Sequence, residues 1–204
     1  MKILVVNNYK EPEKAKQALQ NIALCTGEQP ERIEYTIARL KDVALQKDPD
    51  IVILTGSNFM LSKPDTRTVF RPEMDLVRET DLPFLGICFG HQLIGAAYGS
   101  EVVDLGHNVR EFKEVRLRGN DPLFDGLPSS IRVSESHRQA LTRVPEGFRH
   151  LAESATSQVE AMRHQKRPIY GVQFHPERSD EKHPHGRIIV QNFLKLAANP
   201  DSRC

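Results

Sequence analysis

Residues 84–92 run Phe-Leu-Gly-Ile-Cys-Phe-Gly-His-Gln. An apolar run ends at a cysteine flanked by glycine two residues before and two residues after, and an amphipathic stretch follows. The pattern predicts a strand, a tight turn and a helix, with Cys88 on the turn as in a Gly-x-Ser-x-Gly nucleophile elbow where cysteine replaces serine. The spacing has a steric reason. A nucleophile on a strained turn lets strand and helix pack closely only if its neighbours lack bulk, and glycine tolerates the dihedrals required. The thiol then stands at a helix N-terminus, where the positive end of the helix dipole favours a thiolate. On this stretch alone, a cysteine filling the core as a small apolar residue is an equally good account.

The second constraint lies far downstream. Residues 170–177 run Tyr-Gly-Val-Gln-Phe-His-Pro-Glu, a short strand that delivers a histidine and, two residues on, a glutamate. A thiol nucleophile needs a base, and the base needs an orienting carboxylate, so Cys88, His175 and Glu177 supply the three parts in chain order. Pro176 turns the chain between the last two, which brings His175 and Glu177 side by side instead of along one strand face.

With these two stretches in view, the chain resembles the class I, triad-type glutamine amidotransferases. Gly-Ile-Cys-Phe-Gly-His-Gln at 86–92 and Gly-Val-Gln-Phe-His-Pro-Glu at 171–177 match the signatures of that family. The run from 145 to 177 is most like the amidotransferase part of GMP synthetases. The resemblance implies hydrolysis of L-glutamine to glutamate and ammonia through a γ-glutamyl thioester, with ammonia passed to an ATP-dependent synthetase, the GMP-making one being the first candidate. It implies an oxyanion hole from two backbone N–H groups, at Ser57 and Phe89, and glutamine-binding positions at Gly56, Gln92, Ser136 and His137. The chain departs from the family twice. Ser57 stands where a second glycine of a Ser-Gly-Gly-Pro loop is usual, and Arg138-Gln139 replaces the Gly-Asp that follows Ser-His in the GMP-synthetase branch. His91 is expected to be structural.

The rest of the chain fits that frame. Continuous apolar runs at 2–7 and 50–54 predict strands buried on both faces, and helical spacing between 11 and 25 places a helix between strands. Alternation of this kind predicts an α/β fold with an open, mostly parallel, doubly wound sheet, flavodoxin-like, whose ligands sit beyond the carboxyl ends of the strands. A helix is expected from 71 to about 80 and another over 91–98. From 101 onward short alternating stretches predict an antiparallel strand extension, including a strand at 111–118 and a hairpin from 151–154 and 159–162, before a closing helix at 186–198. The polar segment 59–71 is expected over the site or on a partner-facing surface. One domain, 1–204, is expected, with a frayed tail from 199 that makes Cys204 a poor candidate for the nucleophile.

Composition excludes other classes. Lys and Arg number 28 against 27 Asp and Glu, so no field favours nucleic acid or an anionic membrane. No apolar run approaches the ~18 residues that span a bilayer, and no leader peptide is visible. Three widely spaced cysteines suit a reducing cytoplasmic compartment better than a disulfide framework. No cofactor and no metal are expected: His175, His183 and His185 match no common zinc spacing. The chain has no phosphate-binding Gly-x4-Gly-Lys-Ser/Thr loop and no Ser-Gly-Gly-Val-Asp-Ser loop for ATP, so activation of an acceptor falls to a separate synthetase chain. Three alternatives stay open: a stand-alone γ-glutamyl amide hydrolase with the same triad, a non-catalytic regulatory binding module, and a related cysteine peptidase.

Overall fold

The computed structural model describes residues 1–199. The expectations about the tail beyond Asn199, Cys204 included, lie outside the described residues. Nine strands form one sheet. In chain order the elements begin with β1 (Ile3–Asn7), α1 (Pro12–Thr26), β2 (Glu31–Glu34), α2 (Leu40–Gln46), β3 (Ile51–Leu54), α3 (Pro64–Val69), α4 (Arg71–Glu79), β4 (Phe84–Ile87) and α5 (Phe89–Ala97). They continue with β5 (Val102–Leu117), β6 (Ser130–Leu141), β7 (Phe148–Glu153), β8 (Ala161–His164), β9 (Ile169–Val172) and α6 (His185–Ala198). The strand order is β2-β1-β3-β4-β9-β8-β7-β5-β6. The first five are parallel, and β8, β7, β5 and β6 extend the sheet antiparallel.

The unbroken apolar runs have a direct explanation in this layering. Ile3, Val5, Ile51, Ile53, Leu85 and Ile87 face one apolar layer with Ile22, Cys25, Ile189 and Phe193, which come from α1 and α6. Leu4, Val6, Val52, Leu54 and Phe84 face the other with Leu40, Ala44, Leu76, Val77, Leu93 and Ile94, from α2, α4 and α5. Each parallel strand is covered on both sides, so no position along it favours a polar side chain.

Two sequence expectations change. The strand expected at 111–118 is the end of a much longer one, since β5 starts at Val102 and shifts register against β6 between Asp104 and Val109. Gly106 and Glu111 both adopt positive φ there, 77° and 81°, which bends the strand. The segment 59–71 is not a plain loop: it holds α3, which starts at Pro64. The bent β5–β6 ribbon curls back over the parallel half, and the backbone N–H of His175 donates to Ser134 O on β6 at 2.8 Å. That contact brings a strand from the sheet's far edge to the carboxyl end of β9, which sits at its centre.

Candidate active site

Cys88 occupies the turn between β4 and α5 with φ 52° and ψ −99°, a conformation side chains rarely adopt. The glycines around it are required by close approach. A Cβ on Gly86 would lie 2.6 Å from the carbonyl group of Gly90, and one on Gly90 would run into the backbone of Leu54. The helix begins at Phe89, two residues earlier than its apolar spacing suggests, so Cys88 stands directly at the N-terminus of α5.

Beyond β9 the chain reaches His175 and enters a single tight turn, Pro176–Arg178. The expected side-by-side arrangement follows: His175 Nδ1 donates to Glu177 Oε1 at 2.7 Å, with both side chains buried. The Nδ1 proton is thereby fixed, which leaves the other face of the ring for Cys88. Burial works against an imidazolium here. The charges of Glu177 and Cys88, and the hydrogen bonds to them, outweigh it and push the His175 pKa up to about 9. Burial likewise raises Glu177, yet the adjacent His175 holds the carboxyl below its ordinary value. Gly56 completes the packing, because a Cβ there would meet Tyr9 Oη at 2.6 Å and His175 Cε1 at 2.8 Å. Cys25 on α1 underlies the turn, its thiol 3.7 Å from Glu177 O and 3.9 Å from Pro176 O.

Ser57 keeps an ordinary backbone conformation, so no glycine is needed at its position. Its hydroxyl donates to Asn8 O at 2.6 Å and accepts from Phe59 N at 3.1 Å, which pins the loop after β3 to the loop after β1. Among the described residues neither the Ser57 N–H nor the Phe89 N–H has a hydrogen-bond acceptor, and both residues line a cavity of about 230 Å³ with Cys88. Two free donors beside a nucleophile can hold a developing oxyanion.

Gln92, Ser136 and His137 line the same cavity, though their side chains are differently engaged. The Gln92 amide nitrogen donates to Gln139 O at 2.8 Å and Gln173 Oε1 at 3.0 Å, so it braces the wall. The His137 ring turns away into the protein, where Nδ1 meets Gln139 O at 3.0 Å. Ser136 faces a second cavity of about 420 Å³ as well, shared with Tyr9, His175 and Glu177, and its carbonyl lies 3.7 Å from Cys88 Sγ. His91 is structural: it is buried, it meets Val159 O at 3.0 Å, and burial takes its pKa down to about 3.

Three residues of the site escape sequence reasoning. Gln173 Nε2 lies 3.7 Å from Cys88 Sγ. Arg110 lines both cavities, directly across from Ser136 in the β5–β6 register, and its guanidinium has no ion-pair partner among the described residues. Gln139 ties the segment after β3 across the cavity, its side chain 3.1 Å from Met60 Sδ and Ser62 Oγ. A signal existed for Gln173, inside the second motif. Arg110 and Gln139 are single residues whose direction depends on the bend in β5.

A glutamine amidotransferase class-I family model matches residues 4–196. The chain belongs to the class I glutamine amidotransferases. This amidotransferase is 36% identical over 204 residues to a protein of Methanosarcina acetivorans named as a glutamine-hydrolysing subunit of GMP synthase, with 96% of each chain covered. It is 43% identical over 118 residues to a protein of the same name from Pyrococcus abyssi, covering 58% of this chain and 62% of that one. The crystal structure of a candidate GMP synthase subunit from Thermoplasma acidophilum superposes on it with a TM-score of 0.78 at 30% identity, over 97% of this chain and 94% of that one. The amidotransferase has no helix among its described residues long and apolar enough to cross a membrane.

Proposed function

We propose that this chain is the glutamine-hydrolysing subunit of a two-chain, ATP-dependent synthetase that makes GMP, and that Cys88, His175 and Glu177 carry the hydrolysis. The observation that carries the reading is the strained Cys88 turn facing a buried His175–Glu177 pair. Cys88 Sγ attacks the side-chain carbonyl carbon of glutamine as its proton is held by His175. The Ser57 and Phe89 N–H groups hold the oxyanion, and His175 passes the proton to the departing ammonia. Water then gives a proton to His175 and adds to the thioester; glutamate leaves and the thiol is restored. Glu177 keeps the imidazole in the tautomer and orientation that both transfers need. Arg110 and Ser136 face the α-carboxylate and α-amino end of the substrate, and Gly56 lets His175 approach.

The acceptor follows from the relatives named as GMP synthase subunits, two of which match over 96% of both lengths. We assign the chain to the cytoplasm, in keeping with unpaired Cys25 and Cys88. The test is glutamate release by the purified chain, wild type beside Cys88→Ala, with and without the synthetase partner. Release that depends on Cys88 and rises with the partner is expected. Release that survives Cys88→Ala, or turnover of γ-glutamyl conjugates in preference to glutamine, overturns it.

A further inference from the structure

Behind the glutamine cavity, Glu135 and His137 of β6 and Glu160, just before β8, turn their side chains toward one another. One potential ligand atom from each lies within 4.8 Å of the others. All three residues are buried. Neither carboxylate has a lysine or arginine within ion-pair distance among the described residues, and Glu135 Oε1, Glu135 Oε2, Glu160 Oε2 and His137 Nε2 have no hydrogen-bond partner there. His137 Nε2 lies 3.2 Å from Glu135 Oε2 without hydrogen-bond alignment. Apart from a proton the two carboxylates can share, nothing in contact with the cluster balances this concentration of acceptors.

The outer atoms of the cluster are arranged differently. His137 Nδ1 meets the carbonyl of Gln139 at 3.0 Å, so Nδ1 carries the proton and Nε2 presents a lone pair to the cluster. Glu160 Oε1 accepts from Ser154 Oγ at 2.6 Å, which leaves Oε2 directed inward. Metal-binding histidines and carboxylates are oriented by outer hydrogen bonds of this kind. We propose that Glu135, His137 and Glu160 form a divalent transition-metal site, with zinc as its ion. One imidazole and two carboxylates suit zinc; calcium takes ~6–8 oxygens, more than this cluster offers. The ion would join β6, which carries Ser136, to the segment before β8, where Glu160 O accepts from Gln173 N at 2.8 Å. Its role is therefore to hold the cavity wall, at a distance from the bond that breaks.

The experiment uses the full chain with Cys88→Ala, which removes the thiol as a competing zinc ligand, stripped with chelator and re-equilibrated with zinc chloride. Retention of one zinc per chain by elemental analysis is expected, with a rise in Tm on the order of 5 °C at a hundredfold excess over Kd. Adding Glu160→Gln, or independently Glu135→Gln, should weaken binding at least tenfold and abolish the rise. Both substitutions keep volume, and one serves if the other fails to fold. Cobalt absorption of the parent chain gives a further check through its nitrogen and oxygen ligand field. No zinc retention and no shift in the parent chain, or unchanged zinc binding in both glutamine variants, overturns the proposal. In the first case the pair is held by shared protons alone.

Discussion

Glu177 touches the reaction only through His175, and that separation can be measured. Replacing its carboxylate with an amide removes the negative charge that lifts His175 and disturbs the hydrogen bond that fixes the Nδ1 proton. Glu177→Gln is expected to lower kcat by about 10²–10⁴-fold with a small change in KM, and to move the basic limb of the pH–rate profile downward. Steady-state kinetics across pH check both. Arg110 should behave oppositely. Arg110→Ala removes a cation that faces the substrate's α-carboxylate in ground and transition state alike, so KM for glutamine should rise roughly 10–100-fold with kcat little altered. The contrast follows from how each residue is written in the chain. Cys88, His175 and Glu177 are legible in the sequence because each motif is local: the glycines, the proline and the reactive groups sit within a few positions. Arg110 acquires its direction from a register shift and two positive-φ residues in β5, and no local pattern encodes those.

Among the elements, the β4–α5 junction concentrates the steric demands. A methyl group at position 86 would meet the backbone of Gly90 and the Ile94 side chain, each at 2.6 Å, and backbone cannot move aside as a flexible side chain can. Gly86→Ala is therefore expected to destabilise the chain by about 1–3 kcal/mol and to lose more activity than stability, because any relief shifts Cys88. Thermal unfolding beside glutaminase activity measures the two effects separately. The parallel strands were legible as elements because both of their faces are buried. β5 was not, since much of its length is exposed and polar and its pairing is long-range. The same limit hid the Glu135–His137–Glu160 cluster, whose members come together only when β6 folds back against the segment before β8.

At the scale of the molecule, stability should carry the mark of two buried groups. Burial pushes Glu73 up to about 8, with only a hydrogen bond from Asn8 Nδ2 at 3.0 Å opposing it, and His175 stands at about 9. Each binds its proton more tightly folded than unfolded. Stability therefore falls as pH rises, between about 4.5 and 8 for Glu73 and between about 6.5 and 9 for His175. Glu73→Gln keeps the acceptor for Asn8 and cannot ionise, so the variant should exceed the wild type at pH 8 by on the order of 2 kcal/mol and converge with it at acid pH. Denaturant titrations at several pH values give the comparison. Since Asn8 also bonds Thr55, ahead of the loop that carries Ser57, a charged Glu73 unsettles the oxyanion donors along with the core.

The position of β9 has a bearing on how the protein is made. It is the last strand to leave the ribosome, yet it belongs in the middle of the sheet, between β4 and β8. Until residue 172 emerges, the nascent chain holds a parallel half with β4 as a bare edge and an antiparallel half with nothing to join. The nucleophile is synthesised nearly ninety residues before its base. Activity and the seam of the sheet are thus completed by the same closing event, and a chain interrupted before that point carries an aggregation-prone edge and no chemistry.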